Sequence, residues 1–490
     1  MLRIFKDELL NPKNFVTTIE LVPGRESKGR STDTLKGIAR DAFADGRISA
    51  VSITDNPGGN PSLSPDVLGH EIFKCGLDVI VHFTCRDLNR VGMESRALQL
   101  ARMGMKNILA LTGDYSGKGF GGQGKPVFDF DSVILTAMIQ QLNHRLYASG
   151  DPDGFFSGCA VSPFKNTPSE THGQYQKLDK KLMAGASYVI TQLGYDVEKF
   201  RGLMDHLDKR DENTAVMGSV YLLSPGSARA MNQCRVPGAY VGDALLAQIQ
   251  REWKDKKEGE KLAIDRAAKL GVILKGLGYR GIHIGGIHKN FDTVGAILDR
   301  MDEIGDAWED CLEALSLEHS PRSPLPPPKG TEKIRAYVKE YLPHTVLKAT
   351  HGVFFDKDNA LAPLYRKAAE FVDQHGKSWM VKLFLEDPFK KTMLGCQGCG
   401  DCGIQHLAFL CPESGCPKHT RNGPCGGSRD EFCEVNTDRQ CVWVRAYKRL
   451  DHCGEKERLA KDFVPPRMWE LDKTASWINF HLGRDHQKKK

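Results

Sequence analysis

Two sets of thiols and a group of polar side chains at the ends of apolar runs have the most chemistry to offer here. Cys396-x2-Cys399-x2-Cys402, followed by Cys411-Pro412, has ferredoxin-like spacing. Closely spaced thiolates reach separate irons of one cube and a more distant Cys-Pro closes it, although the eight-residue gap before Cys411 departs from the usual run. Cys416, Cys425, Cys433 and Cys441 form a second set that suits a further [4Fe-4S] cluster or a zinc ion, with Cys453, His406 and His419 as spare ligands. A purely structural zinc module is the plainer reading of either quartet. Elsewhere Glu20, Thr54, His82, Asp114 and Gln192 each close an apolar run. A carboxylic acid in such a run is costly to bury ionised, so its pKa rises, and Glu20 becomes a candidate general acid. A salt-bridged structural role is the alternative for Glu20, and helix capping is the alternative for Asp114.

These side chains need elements to aim them. Strand-like runs occur at Val16–Val22, Ala50–Thr54, Val79–Thr84, Ile108–Thr112, Phe156–Val161, Tyr188–Gln192, Val216–Leu223 and Gly281–Gly285. Amphipathic stretches such as Met93–Met103, Leu178–Gly185 and Lys261–Leu277 lie between them. Eight strands alternating with helices predict an α/β fold, a (β/α)8 TIM barrel whose chemistry sits where the strands end. A doubly wound open sheet competes, but no dinucleotide fingerprint follows the first strand. The barrel is expected over 1–316, a proline-rich linker over 317–331, a mainly helical cysteine-rich metal domain over 332–475 and a solvated tail over 476–490. Gly119–Lys125 (GFGGQGK) imitates a phosphate loop, but Pro126 stands where Ser or Thr would meet magnesium, so a loop at the barrel mouth is expected instead.

Composition narrows the classes. The chain has 490 residues, 40% hydrophobic and 27% charged, and a net charge of +6, too small to argue for nucleic acid. It lacks an apolar run long enough for a membrane span and any signal-peptide pattern at its start, so a cytoplasmic protein is expected. Nine of the fourteen cysteines fall between Cys396 and Cys453, and clustered thiols in a reducing compartment more often bind metal than pair as disulfides.

The segments IELVPGR, SITDNPGGNPSLSP, VHFTCRD, NILALTGD and GASYVITQLGYD, in that order over roughly residues 15–295, resemble the methylenetetrahydrofolate reductase family. That resemblance implies a flavin-containing barrel that passes a hydride to 5,10-methylenetetrahydrofolate, giving 5-methyltetrahydrofolate. It makes Glu20 the acid, Asp114 the carboxylate that holds the pterin near the flavin, and Gln192 the amide that bonds the pterin. Thr54 and His82 would lie beside the flavin, and Lys181 near its phosphate region. Two departures leave FAD against FMN open, and with it the entry of NAD(P)H: the segment CAVSPFKN lacks the Tyr many members carry near the flavin, and Gln174 stands where an acidic residue often meets ribose.

Cys416-Pro417-Lys418, Asn422–Gly427 (NGPCGG) and Cys441-Val442-Trp443 resemble a C-terminal domain akin to the small iron–sulfur subunit of acetogenic methylenetetrahydrofolate reductases. The two resemblances together imply an oxidoreductase of one-carbon metabolism whose cysteine domain feeds electrons to the flavin, as an oligomer or with a redox partner protein. The competing expectations are a folate-binding methyl-transfer component without flavin chemistry and an electron-transfer scaffold in a larger redox complex.

Overall fold

The computed structural model describes residues 4–151, 153–210, 213–315 and 340–488. Among the described residues ten strands occur in this order: β1 Val16–Leu21, β2 Ile48–Ile53, β3 Asp78–Thr84, β4 Asn107–Leu111, β5 Lys118–Gly119, β6 Gly122–Gln123, β7 Phe156–Val161, β8 Tyr188–Thr191, β9 Ala215–Tyr221 and β10 Gly281–Gly285. Eight of them close a parallel barrel in the order β1-β10-β9-β8-β7-β4-β3-β2, which removes the open-sheet alternative. β5 and β6 pair with each other as an antiparallel hairpin over Lys118–Gln123, which overlaps GFGGQGK. The phosphate-loop imitation is therefore a hairpin and does not lead from a strand into a helix.

Side chains two apart on a strand share a face, so each barrel strand sorts its residues between interior and helix layer. The outward set, including Ile19, Val51, Val81 and Ile108, joins the surrounding helices in one large apolar cluster. The inward set changes character along the barrel axis. At its base Val16, Ala50, Ile80, Phe156 and Tyr188 pack together, and Phe5 and Leu9 of the helix Phe5–Leu10 close this end. The Tyr188 ring lies 4.8 Å from that of Phe156 and 5.4 Å from that of Phe5. One step up, the interior turns polar: Thr18 hydroxyl and His283 Nδ1 are 2.8 Å apart, and Ser52 hydroxyl is 3.3 Å from His283 Nε2. Another step brings Glu20 and Thr54 to the mouth.

Beyond Glu340 the chain is mainly helical, with helices Leu342–Phe354, Ala362–Gln374, Asp387–Leu394, Val442–His452 and Ser476–His481, and a π-type turn over Val381–Glu386. The expected proline-rich linker over 317–331 lies outside the described residues. The expectation of a solvated tail from 476 is corrected: Ile478 and Phe480 are buried in the helical region, and His486 is bonded to Asp401 through its ring. Two apolar side chains in six residues were enough to dock this segment.

Backbone carbonyls of the cysteine-bearing loop run against the barrel. Asp131 caps the helix Ser132–Ala148 through Oδ1, and its Oδ2 accepts the backbone N–H groups of Arg421 and Asn422, each at 2.9 Å. Lys165 Nζ donates to the carbonyls of Gly426 and Ser428. The cysteine region is thereby seated on the open end of the barrel.

Candidate active site

A cavity of about 460 Å³ occupies the barrel mouth, and residues from both regions line it. Barrel strands and the loops after them bring Glu20, Thr54, His82, Asp114 and Gln192 into this one wall, and the helix Pro168–Met183 adds Lys181, so all six barrel residues expected from the sequence meet. Lys418, Pro424, Cys425, Gly426, Gly427 and Glu434 close it from the cysteine region.

Glu20 is enclosed by the barrel, and burial pushes its carboxyl up to about 7. It therefore keeps its proton in a substantial share of molecules near neutral pH, about half at pH 7, and is able to give it, as a general acid must. His82 is buried as well, and desolvation draws it down to about 4, leaving a neutral ring at the mouth. Its Nε2 and the Thr54 hydroxyl are buried without a hydrogen-bond partner. Buried polar atoms are rarely left unmet, so these two are suited to a ligand's polar edge.

Asp114 Oδ2 accepts the backbone N–H of Gly58 at 3.0 Å. Its helix-capping alternative falls away, because Asp131 caps the helix that follows. The Gly58 loop is itself held close: a side chain at Gly59, where φ is +75°, would put Cβ 2.0 Å from the carbonyl oxygen of Tyr115. Only glycine permits that approach of two mouth loops. Arg96, behind them, bonds Asp55 at 2.8 Å and Asp66 at 2.6 Å, and Asp55 in turn accepts the Thr84 hydroxyl at 2.9 Å. Gln192 spends its amide locally, donating to the Pro237 carbonyl at 3.0 Å and accepting from Leu193 N–H at 2.9 Å.

The helix Pro168–Met183 presents a polar stripe to the cavity. Gln174, Lys177 and Lys181 follow one another at helical spacing and are all buried. Gln174 Nε2 has no partner. Lys177 meets only neutral oxygens, the Thr112 hydroxyl at 3.5 Å and the Gly423 carbonyl at 3.3 Å. Lys181 donates to the Ala160 carbonyl, and burial lowers its ammonium to about 8. Buried ammonium groups facing neutral oxygens suit an anionic group such as a phosphate. With Thr54 and His82, this stripe fits a flavin: a flat ring with a polar edge, extended by a phosphate chain. Lys177 escaped the sequence reading, although its place one helical turn before Lys181 was a usable signal.

Eight of the thiols lie around two small cavities. Cys396, Cys399, Cys402 and Cys411 line one small cavity; Cys416, Cys425, Cys433 and Cys441 line another. All fourteen cysteines are free of disulfides. Burial pushes Cys399 and Cys441 up to about 12 and Cys402 to about 11. Four thiols around one space suit a soft metal, whose charge would offset the cost of the buried thiolates, although carboxylates also line both spaces, Asp401 and Glu413 the first and Glu434, 3.2 Å from Cys425 Sγ, the second. Among the described residues, no three His, Cys, Asp or Glu side chains are drawn together tightly enough to grip a single ion. The spare ligands lie apart: His406 is bonded to Asp462 and His486, His419 faces Glu413, and Cys453 is beside His344.

Cys425 lines both the second quartet's cavity and the barrel-mouth cavity. So do Lys418 and Glu434, paired at 2.5 Å; Lys418 Nζ also donates to the Gly113 carbonyl at 2.8 Å. Sequence reasoning had no signal for this junction, which joins residues about 300 apart in the chain.

Known proteins match both regions. Residues 6–302 match the family model described as methylenetetrahydrofolate reductase, and residues 380–470 match one described as methylene-tetrahydrofolate reductase C terminal. Methylenetetrahydrofolate reductase 1 of Schizosaccharomyces pombe is 27% identical over 278 residues, covering 54% of this chain and 43% of the yeast protein. A probable methylenetetrahydrofolate reductase (NADPH) of Caenorhabditis elegans is 26% identical over 202 residues, 40% of this chain and 28% of the worm protein. The chain thus spans less than half the length of the curated relatives it matches. Among solved structures, an uncharacterized protein from Clostridium thermocellum that binds two copies of 5-methyl-5,6,7,8-tetrahydrofolic acid aligns at 12% identity and a TM-score of 0.42, over 61% of this chain and 98% of its own, a likeness too loose to speak to the ligand. Among the described residues no helix is long and apolar enough to cross a membrane. The match over residues 6–302 takes in every strand of the barrel and each barrel residue of the mouth, and the chain belongs to the methylenetetrahydrofolate reductase family.

Proposed function

We propose that this chain reduces 5,10-methylenetetrahydrofolate to 5-methyltetrahydrofolate at the barrel mouth, with electrons entering through the cysteine region. The observation that carries this is the shared wall: Cys425 borders the same cavity as Glu20, Asp114 and Lys181. Thr54, His82, Gln174, Lys177 and Lys181 would hold a flavin, which in such a site supplies a hydride for an electrophilic carbon.

Glu20 gives its proton to N10 of the folate, which opens the five-membered ring and leaves an iminium at the bridging carbon. That carbon then accepts the hydride, and N10 keeps the proton. Asp114 and Gln192 border the pterin and fix which face it presents. The barrel wall and the cysteine region together exclude water, so the iminium meets hydride before hydroxide. Cys396, Cys399, Cys402 and Cys411 would hold one iron–sulfur cluster, and Cys416, Cys425, Cys433 and Cys441 a second cluster or zinc. Such clusters supply electrons one at a time. This reading makes the region a cousin of the small iron–sulfur subunit of acetogenic reductases.

Two measurements test it. Methyltetrahydrofolate added anaerobically to the flavin-loaded protein should bleach the visible flavin band, and Glu20→Gln should abolish the bleaching; an unbleached band sinks the reductase reading. Metal analysis should find about four or eight irons per chain with acid-labile sulfide. Zinc alone would remove electron entry through the thiols.

A further inference from the structure

A second cavity, of about 210 Å³, adjoins the barrel mouth. Arg235, Val236, Pro237, Gly238, Gly427 and Glu434 line both spaces and form the boundary between them. Neither region builds this side chamber alone: barrel loops supply residues 164–166 and 234–240, and the cysteine region supplies 427–430. The loop over 234–240 is pinned where the spaces meet. The Gln192 amide donates to the Pro237 carbonyl at 3.0 Å, and the Ser162 hydroxyl donates to the Gly238 carbonyl at 3.1 Å. At Gly238, where φ is +75°, a Cβ would stand 3.2 Å from the Gln192 side chain and 3.3 Å from the Gly426 carbonyl oxygen. Glycine lets the loop pass between the two regions there.

The chemistry changes across this boundary. Val236 and Pro237 give it an apolar strip, and guanidinium groups follow. Arg235 stands on the boundary, and Arg429 lines the side chamber alone. Arg429 donates to the Cys234 carbonyl at 3.3 Å, and among the described residues neither guanidinium is within ion-pair distance of a carboxylate. Lys165 faces the Gly426 and Ser428 carbonyls. Three carboxylates border the chamber too, and each is engaged: Glu434 with Lys418 at 2.5 Å, Asp430 with the Asn166 amide at 2.8 Å and Glu170 with the Thr167 hydroxyl at 3.0 Å. The second oxygen of Glu170 is buried without a partner and suits an N–H donor. With Glu434 offset by Lys418, the cations Lys165, Arg235 and Arg429 outnumber Glu170 and Asp430. Guanidinium groups without an ion pair at a cavity wall suit carboxylates, which they bind through a bidentate fork.

We infer that the side chamber takes the p-aminobenzoylglutamate tail of the folate, with the benzoyl ring against Val236 and Pro237 and the glutamate carboxylates on Arg235 and Arg429. The order of walls follows the order of groups along such a ligand. The polar pterin edge falls to Asp114 and Gln192, the flat apolar ring to the boundary, and the dianionic end to the guanidinium groups. The inference rests on the reductase reading above and deepens it. Beyond any part in electron entry, the cysteine region completes the substrate site, and affinity for folate depends on its seat against the barrel.

The test measures binding apart from turnover, by anaerobic calorimetric titration of the full, metal- and flavin-loaded protein. The probes are tetrahydrofolate, 6,7-dimethyltetrahydropterin, which has the ring system without the tail, and p-aminobenzoylglutamate, which has the tail without the ring. Arg429→Ala should weaken tetrahydrofolate about tenfold through loss of a charged contact. Arg235→Ala should weaken it less, because that side chain is exposed. Both variants should bind the tail-less pterin as the wild type does, which shows that they fold and that the mouth is intact. Arg429→Lys should recover part of the loss, keeping the charge without the fork. In flavin bleaching by methyltetrahydrofolate, Arg429→Ala should raise the half-saturating concentration far more than it lowers the rate at saturation, since the tail is held alike before and during hydride transfer. p-Aminobenzoylglutamate should displace tetrahydrofolate from the wild type, and inorganic phosphate at the same concentration should not. Unchanged tetrahydrofolate affinity in Arg429→Ala overturns the proposal. An equal loss for the tail-less pterin overturns it in favour of a structural role at the seam, and equal displacement by phosphate in favour of a general anion site. Failure of methyltetrahydrofolate to bleach the wild type, with tetrahydrofolate affinity still dependent on Arg429, would sink the reductase reading and leave the chamber assignment standing.

Discussion

In the barrel, one continuous cluster of buried apolar side chains runs from Ile19 to Leu315, and a second fills the barrel base. Beyond Glu340 the apolar groups are divided among three small clusters, around Leu407 and Trp443, Val381 and Ile478, and Leu347 and Phe409. Many others remain exposed, and eight thiols sit around two cavities between the clusters. The barrel has enough apolar burial to hold its shape unaided, whereas the cysteine region leans on its seat against the barrel and, on the function proposed above, on the metal its thiols would bind. On the function proposed above the difference assigns labour: the rigid part would hold the substrate beside Glu20, and the cysteine region would control electron entry.

Metal removal should separate the two regions most sharply. Structural metal sites are worth about 10 kcal/mol or more to the domains they hold. Chelation should therefore abolish a lower calorimetric transition from the cysteine region while the barrel transition survives. A single unchanged transition would break the contrast.

Glu20→Gln should act on the barrel side alone, lowering hydride transfer to folate by about 10²- to 10⁴-fold with both transitions intact. The wild-type pH profile carries the same information. With the carboxyl near 7, the acid is charged with its proton below that pH, so transfer should fall as pH rises through about 7. A flat profile across that range in single-turnover experiments would remove Glu20 as proton donor.

The seam between the regions is next. Asp131→Ala removes a helix cap and two interdomain bonds to Arg421 and Asn422 at once. A loss of about 2–3 kcal/mol is expected, with faster hydrogen exchange at residues 421 and 422. Loss confined to the barrel helix would show that the seam is held elsewhere. The smallest effect belongs to Lys177→Met, which should weaken flavin binding about tenfold through loss of one charged contact, measured by fluorescence titration of the apoprotein.

How much of this was legible follows from the kind of pattern each feature leaves. Phe156–Val161 and Gly281–Gly285 have the same limits in the structure as in the sequence reading, because a buried parallel strand is a short apolar run. Strand ends blurred by a residue or two, as at Ile48–Ile53, because pairing and not side-chain type decides where a ladder stops. The grouping of Glu20, Thr54, His82, Asp114 and Gln192 was readable once a barrel was expected, since a barrel gathers its strand ends at one mouth, whereas Lys181 arrives from a helix and was reached only through the family resemblance. The 476–490 stretch was misread because its docked face is too short to show a period.

The sequence by itself determined the barrel's strands, the place of Glu20 on the first of them and the spacing of the eight cysteines that line two cavities. These are local patterns, written by burial every second residue and by ligand spacing. Only the tertiary structure decided that Cys425 lines both its own cysteine cavity and the barrel-mouth cavity, that Lys418 reaches Gly113, and that Pro424 and Gly426 roof the mouth. Those contacts join segments some 300 residues apart through backbone carbonyls and single buried charges. Such groups have no periodicity along the chain, so their meeting appears only when the two regions are folded against each other.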